Sequence, residues 1–309
     1  MMPMGSHSFW SQRRVLVTGG TGFIGSHVCR RIAEAGGDVY ATSRTRTGVD
    51  DGITWVKADF SDLAAARATI ADVRPSVVYH FAGSVGAAPE LKLVVPTFHS
   101  LLTSTVNALT AAAEAGCERI VLPGSLTEAL PGEDPPVPRS PYAAAKWAAS
   151  GYGRMFHELF ATPTVILRTF MTYGPGQHAS KLIPSVARAL LRGERPRLSS
   201  GRGKADWVFI DDVAEAFLLA ASTPGIEGRT IDIGSGQLVS MRTLIETLVK
   251  AVGAGAEPIF GALPDRPGEN QIIAQTGPAE ALMGWRATTT LESGLRQTAD
   301  WHRAQLVTC

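Results

Sequence analysis

Val17-Thr18-Gly19-Gly20-Thr21-Gly22-Phe23-Ile24-Gly25 follows the apolar run Val15-Leu16-Val17 and precedes Ser26-His27-Val28-Cys29-Arg30-Arg31-Ile32. A strand, a glycine turn and an amphipathic helix in that order make a phosphate cradle, because glycines let backbone N–H groups approach an anion at a helix N-terminus. Gly19, Gly22 and Gly25 have separate jobs: one makes the tight turn, one admits the pyrophosphate, one lets helix pack closely on strand. The spacing is GxxGxxG, not the usual GxGxxG.

Outward from that turn the chain alternates. The helix runs to Ala33-Glu34-Ala35, and Gly36-Gly37 ends it. Asp38-Val39-Tyr40-Ala41-Thr42-Ser43 reads as a second strand, 44–48 as a polar loop and Ile53-Thr54-Trp55-Val56-Lys57-Ala58 as a third strand. Asp59-Phe60-Ser61-Asp62 caps a helix through Ile70. Strands follow over 77–81, 119–123 and 164–168, and helices over 101–115 and 142–159. Strands of about six residues alternating with helices of about fifteen predict an α/β fold, a Rossmann-type doubly wound parallel sheet. Ligands of such sheets bind beyond the carboxyl ends of the strands.

From Thr172 the rhythm changes: a turn-rich loop at 173–177, a helix near 183–191, a strand at 206–210, a helix to 221 and a seventh sheet strand at 230–234. The expected division is a tail (1–12), a Rossmann cofactor-binding domain (13–170, completed by about 205–235) and a smaller substrate-binding domain (171–204 and 236–309).

With 309 residues, 45% hydrophobic, and a net charge of +1, the chain has the composition of a globular protein and no electrostatic reason to bind nucleic acid or an acidic membrane. Cys29, Cys117 and Cys309 are far apart and lack CxxC spacing, so no disulfide framework or zinc site is expected, and a reducing cytoplasm fits best. No apolar stretch approaches the ~20 residues a membrane helix needs, and residues 1–11 lack the order of a signal peptide. His80 and His178 have no metal-ligand partner at a telling spacing, so no metal is expected.

Tyr142 and Lys146 lie four apart at the start of a predicted helix, which puts both on one face. An ammonium beside a phenol favours the phenolate, so Tyr142 is a candidate general acid or base. Ser125 follows the fifth strand at the same sheet edge, where its hydroxyl can hydrogen-bond an alcohol or carbonyl oxygen. Taken singly each has a plainer reading: a chance YxxxK, a solvated lysine, a loop cap. In register behind a glycine cradle they make a set.

With these pieces the sequence resembles the extended short-chain dehydrogenase/reductase family of nucleotide-sugar epimerases, dehydratases and reductases, over nearly its whole length. The matching stretches are Thr18 to Gly25, Ala58-Asp59-Phe60, His80-Phe81-Ala82-Gly83, Gly124-Ser125, Ser140-Pro141-Tyr142-Ala143-Ala144-Ala145-Lys146, Leu167-Arg168 with Tyr173-Gly174-Pro175-Gly176-Gln177, the run 206–213, and Arg266-Pro267-Gly268-Glu269. The resemblance implies that Gly19, Thr21, Gly22, Phe23, Ile24 and Gly25 hold the cofactor pyrophosphate, with Phe81, Ala82 and Gly83 also in the cofactor site. It implies further that Asp59 and Phe60 flank the adenine and that Lys146 holds the nicotinamide ribose. Tyr142 is then the proton donor or acceptor, assisted by Ser125, with Ser84 and Thr127 as substrate contacts. Asp59 can equally serve as a helix N-cap.

NAD-dependent members place an acid at the end of the second strand, where this chain has Ser43-Arg44 and, close behind, Arg46. A guanidinium binds a 2′-phosphate that a carboxylate would repel, so NADP(H) is the expected cofactor, unless both arginines are merely solvated. A reductase must exchange spent cofactor, so this tilts the reading towards reduction. Dehydratases carry an adjacent Asp-Glu pair after the fifth strand; here Ser125-Leu126-Thr127-Glu128 lacks the Asp. Met171 stands where the family usually has an Asn, and Ala205 replaces the Arg before Asp206. The usual Asn near Leu101 is also missing. Arg266 remains at the second phosphate position, with Arg202 and Lys204 able to reach the same anion, or else surface charges.

The leading expectation is therefore NADPH-dependent reduction of a nucleotide-linked keto-deoxysugar, most plausibly at C4. The alternative is a nucleotide-sugar 4-epimerase with bound NAD(P), and the second alternative a non-catalytic NADP-binding sensor or scaffold. Helices 101–115 and 142–159 are rich in Ala and apolar residues; in the family that the sequence resembles such helices pair across a two-fold axis, so the resemblance implies a homodimer, although a helix face buried within one chain leaves the same pattern.

Overall fold

Val15, Leu16 and Val17 are all fully buried, as a strand covered on both faces requires. The computed structural model describes residues 9–84, 86, 88–128, 137–253, 255–265 and 271–307. Its contacts divide the chain into two compact units, one up to Thr169 together with Ala214–Ile231, the other Phe170–Val213 together with residues from Asp232 on.

The strands of the larger sheet are β1 (Arg14–Thr18), β2 (Asp38–Ser43), β3 (Gly48–Asp50), β4 (Ile53–Lys57), β5 (Val77–His80), β6 (Arg119–Ser125), β7 (Thr164–Thr169) and β10 (Thr230–Ile233). They lie in the order β10-β7-β6-β5-β1-β2-β4-β3. β1 pairs in parallel with both β2 and β5, so the strand order reverses direction there, and the glycine turn leaves β1 at this switch point. β3 is antiparallel to β4.

The crossovers are α1 (Phe23–Glu34), α2 (Leu63–Val73), an irregular helix and α5 (Pro141–Phe160). The irregular helix is a 3₁₀ turn Leu91–Leu93, α3 (Val94–Thr97), a π segment Phe98–Thr103 and α4 (Ser104–Glu114). Leu16, Val78, Ile120 and Ile166 from one sheet face pack with Ile70, Ala108, Leu109, Ala112 and Phe156 of these helices. On the other face the Tyr79 hydroxyl donates to the Phe217 carbonyl at 3.0 Å. Burial of this kind stabilises at roughly 25 cal/mol per Å2.

The second unit holds a three-stranded sheet, order β11-β9-β8, from β8 (Met171–Tyr173), β9 (Lys204–Phe209) and β11 (Leu238–Ser240). Its helices are α6 (Leu182–Leu191), the start of α7 (Ile210–Ser222), α8 (Met241–Val252), α9 (Thr276–Met283) and α10 (Leu291–Val307). Two carboxylates tie it together. Asp206 is 0% exposed: Oδ1 accepts from Ser235 N at 2.6 Å and Ser235 Oγ at 2.7 Å, and Oδ2 from Gly236 N at 3.0 Å and Ala274 N at 3.1 Å. Asp212 accepts from Thr288 N, Thr288 Oγ1 and Thr289 N, while its carbonyl takes the Trp285 indole N–H at 2.9 Å.

Several readings of the sequence change here. Trp10, inside the stretch read as a tail, is 1% exposed, and its carbonyl accepts from Arg13 N at 3.0 Å. The loop after β2 contains β3, whose residues are all exposed and so carry no apolar signal. The 206–210 strand belongs to the small sheet. Of the helix read over 101–115, Leu101, Ala108, Leu109, Ala111 and Ala112 are buried within the unit. The exposed apolar residues lie instead on Val94, Val95 and Phe98 and on Trp147, Tyr152, Leu159 and Phe160 of α5. Cys29 and Cys117 are buried free thiols, pushed up to about 12 and about 11 by burial. Among the described residues no helix is long and apolar enough to cross a membrane, and no cluster of His, Cys, Asp or Glu can hold a metal.

Candidate active site

Two glycines of the cradle, Gly19 and Gly25, leave no room for a side chain. Gly19 is left-handed at φ +68°, and a Cβ there would stand 2.7 Å from Ala82 N. A Cβ on Gly25 would lie 2.4 Å from the Gly19 carbonyl oxygen, and one on Gly22 3.1 Å from it. Gly22 N donates to Gly19 O at 2.9 Å, and Gly22 then caps α1 with no side-chain hydrogen bond and no acidic residue in the first turn. The N–H groups of Phe23, Ile24 and their neighbours are thus kept for an anion, which the helix dipole favours. A hollow of about 350 Å3 beside the cradle is lined by Gly20, exposed Thr21, Ser26, His27, Arg46 and Trp55, among others.

At the end of β2, Ser43 Oγ accepts from Thr45 N at 3.2 Å and Arg46 N at 3.1 Å, so the hydroxyl shapes the turn. Arg46 is occupied: it pairs with Asp50 at 2.5 Å and lies 4.3 Å over the Trp55 ring. The β3–β4 hairpin brings both partners to it. Arg44 is exposed, and its positive charge helps hold the Asp59 carboxyl below the usual range, after the larger effect of hydrogen bonds from Ser61. Asp59 closes a turn onto Ser61 N and Oγ, while the helix N-cap is Asp62, which accepts from Ala64 N at 2.8 Å. Phe60 is 3% exposed, packed in the core, and its carbonyl takes Asn107 Nδ2 at 2.9 Å, so its ring is not at the surface to meet a base.

His80 links the cradle to the irregular helix. Ser104 Oγ donates to Ser100 O at 2.7 Å, so it accepts from His80 Nε2 at 3.2 Å. Nδ1 is then the acceptor for the Thr18 hydroxyl at 2.8 Å, and Thr18 Oγ1 accepts from Ala82 N at 3.2 Å. Burial, with the Lys146 charge adding to it, lowers the imidazole to about 3, so His80 is neutral. Phe81 meets Phe217 edge to face, with ring centroids 4.7 Å apart. Gly83 has φ +147° with Leu101 against it, and exposed Ser84 donates its N–H to Ser100 Oγ at 3.4 Å.

Ser140 caps α5, accepting from Ala143 N at 3.1 Å, with Pro141 in the first turn, and this sets Tyr142 and Lys146 at the helix start. Ser125, the last residue of β6, is hydrogen-bonded through its side chain to Tyr142 and shares its hydroxyl with Thr127 Oγ1 at 2.9 Å. Lys146 Nζ donates to the Pro123 carbonyl at 2.8 Å. The structure thus brings Ser125, Thr127, Tyr142 and Lys146 together. It departs from the sequence reading in one respect: burial raises the Tyr142 phenol rather than lowering it, with the Ser125 hydrogen bond a smaller opposing effect. Burial likewise lowers Lys146 to about 8. Glu128, which the sequence offers only as half of an eliminating pair, lies buried with its carboxylate accepting from Ser125 N at 2.7 Å.

The profile of the NAD dependent epimerase/dehydratase family matches residues 15–234, from the cradle strand to the end of β10. The chain belongs to this family. It is 31% identical to a UDP-glucose 4-epimerase of Mycolicibacterium smegmatis over 94% of this chain and 98% of that protein. It is 29% identical to a dTDP-glucose 4,6-dehydratase of Neisseria meningitidis over 94% of this chain and 93% of that one. Among solved structures, Thermus thermophilus UDP-glucose 4-epimerase in complex with NAD matches with a TM-score of 0.83 at 28% identity, covering 94% of this chain and 99% of that one.

In this member of the epimerase/dehydratase family the second unit departs most from the expected pattern. Met171 begins β8 and is 37% exposed, opposite Trp207 in the parallel pairing with β9. Lys204 begins β9 and is exposed, as is Arg202 in the loop before it. Arg266 lies outside the described residues. His178 is exposed and bound locally to Ser180, through Oγ at 2.8 Å and N at 3.2 Å.

Proposed function

We propose that the protein is a nucleotide-sugar 4-epimerase whose nicotinamide dinucleotide stays bound and is not consumed. The observation that carries this is a single acid–base set, Ser125, Tyr142 and Lys146, in the unit that also bears the cradle. Elimination of water needs a second acid beside it, and Thr127 stands in that place while Glu128 Oε1 faces inward to Ser125 N and Ser150 Oγ. The epimerase relative at 31% identity supports the same choice, and the expectation of net reduction gives way to it.

The glycine cradle and the uncapped start of α1 suit the pyrophosphate of such a cofactor. When bound, the cofactor takes a hydride from C4 of the sugar and returns it. Tyr142 takes the proton from the C4 oxygen and gives it back to that oxygen once C4 has presented its opposite face to the hydride, and the Ser125 hydroxyl holds the oxygen. The Lys146 ammonium favours the phenolate that this exchange requires. Arg202, Lys204 and Arg266 are cations for the substrate diphosphate, and Ser84, Thr127 and Met171 are sugar contacts. A homodimer through the exposed apolar residues of α3 and α5 belongs to the same proposal.

Purified protein given UDP-galactose and no added cofactor is expected to form UDP-glucose, read through a coupled UDP-glucose dehydrogenase. Consumption of NADPH on a nucleotide-linked 4-keto-6-deoxyhexose, with no epimerisation, transfers the assignment to reduction. One observation favours that second reading: β2 ends in Ser43-Arg44 with no carboxylate for a ribose hydroxyl, which suits NADP(H). On it, Arg44→Ala weakens NADP+ binding about tenfold and leaves NAD+ binding unchanged, by calorimetry. Equal affinities of the unsubstituted protein for the two cofactors remove it.

A further inference from the structure

Glu128 is 5% exposed at the end of β6, and the reaction proposed above gives it nothing to do. Its Oε1 accepts from Ser125 N at 2.7 Å and from Ser150 Oγ at 3.0 Å. Its own N–H donates to the Ser125 carbonyl at 3.1 Å, so both polar groups of the Ser125 backbone engage Glu128. Gly124 makes the room: a Cβ there would stand 2.9 Å from Oε1 and 3.2 Å from Arg168 Cα. The charged and titratable groups facing the carboxylate are Tyr142 and Lys146 from α5 and Arg168 from β7.

We propose that Glu128 is a positioning residue, fixing the direction of the Ser125 hydroxyl and holding Lys146 as an ammonium. The inference rests on the reading of Ser125, Tyr142 and Lys146 as the acid–base set. A buried lysine loses its proton readily, and here burial brings Lys146 down to about 8, with the Glu128 charge opposing a further fall. A hydroxyl meant for a substrate oxygen needs its backbone held, because a misplacement of about 1 Å costs about a hundredfold in rate.

Three variants separate the two effects. Glu128→Gln retains an acceptor of the same shape and loses the charge; Glu128→Ala loses both; Gly124→Ala retains the charge and displaces the carboxylate. The first readout is the pH dependence of Lys146 acetylation by acetic anhydride, followed by peptide mass spectrometry, which needs no substrate. The midpoint is expected at about 8 in the unsubstituted protein and at lower pH in Glu128→Gln. The second readout is turnover of UDP-galactose. Glu128→Ala and Gly124→Ala are expected to lose about 10- to 100-fold in kcat with KM little changed. Glu128→Gln keeps its kcat at low pH and loses it earlier as pH rises.

An unmoved Lys146 midpoint in Glu128→Gln overturns the electrostatic role, and an unchanged kcat in Glu128→Ala or Gly124→Ala overturns the positioning role. If Glu128→Gln does not fold, Gly124→Ala decides by the same kcat criterion. If the epimerase reading fails, the unsubstituted protein leaves UDP-galactose untouched while the Lys146 midpoint still moves, so the two failures are distinguishable.

Discussion

Replacing Tyr142 by Phe is expected to cut kcat by about 10²- to 10⁴-fold, the usual worth of a positioned proton donor, and to leave cofactor affinity within a few-fold. The ring stays in place because Ser140 and Pro141 fix the helix start independently of the hydroxyl. Only the proton-bearing atom is lost. Lys146 keeps its hydrogen bond to the Pro123 carbonyl, and the cradle is untouched. Turnover and cofactor titration on the same preparation check this: a fall in binding that matches the fall in rate would mean that Tyr142 holds the cofactor instead of moving a proton. Burial holds the phenol above its usual range, whereas the first proton transfer needs the phenolate, so the rate of the unsubstituted protein is expected to fall towards acid pH and to rise as pH increases.

Asp206→Ala is expected to be the most destabilising single change outside the acid–base set. Asp206 is completely buried and receives three backbone N–H groups and one hydroxyl. Truncation strands those donors in the interior of the unit. Leaving a buried donor unsatisfied costs about 1–3 kcal/mol, and breaking a buried charged network costs about 3–5 kcal/mol in all. The melting temperature is expected to fall by roughly 10 °C for a chain of this size. A thermal melt within about 2 °C of the unsubstituted protein would mean that the segment at Ala274 relaxes to find other acceptors.

The parallel sheet, the cradle and the Ser125, Tyr142 and Lys146 set were legible because each rests on local pattern: apolar strands at regular intervals, glycines at fixed offsets, a four-residue helical spacing. What was not legible depended on partners distant in sequence. Arg46 read as a free cation, since the exposed β3 carries no apolar alternation to announce the hairpin that supplies Asp50 and Trp55. That the Phe60 ring completes a core with Ile70 and Leu109 was likewise not announced by its position after Asp59. Glu128 was weighed only as half of an eliminating pair, because nothing in its spacing signals a carboxylate bonded to a residue three positions back and to Ser150 on the next helix. The choice between epimerase and reductase turned on Ser43-Arg44, a two-residue signal that similarity over the whole chain outweighs.

The π segment Phe98–Thr103 sits between the α-helical Val94–Thr97 and Ser104–Glu114, with His80 anchored to it through Ser104. Each residue of an α-helix turns the chain by about 100°, and a wide turn takes up one residue more. Val94, Val95 and Phe98 are exposed, and Leu101 and Leu109 are buried. Substitutions leave the phase alone. A one-codon deletion inside the segment would close the wide turn to an ordinary one and leave the side chains before it facing as they do, whereas the same deletion in plain helix would turn them by about 100°. The segment is thus a place where relatives of this chain can gain or lose one residue while the outer surface of the helix, the sheet and its cradle stay as they are.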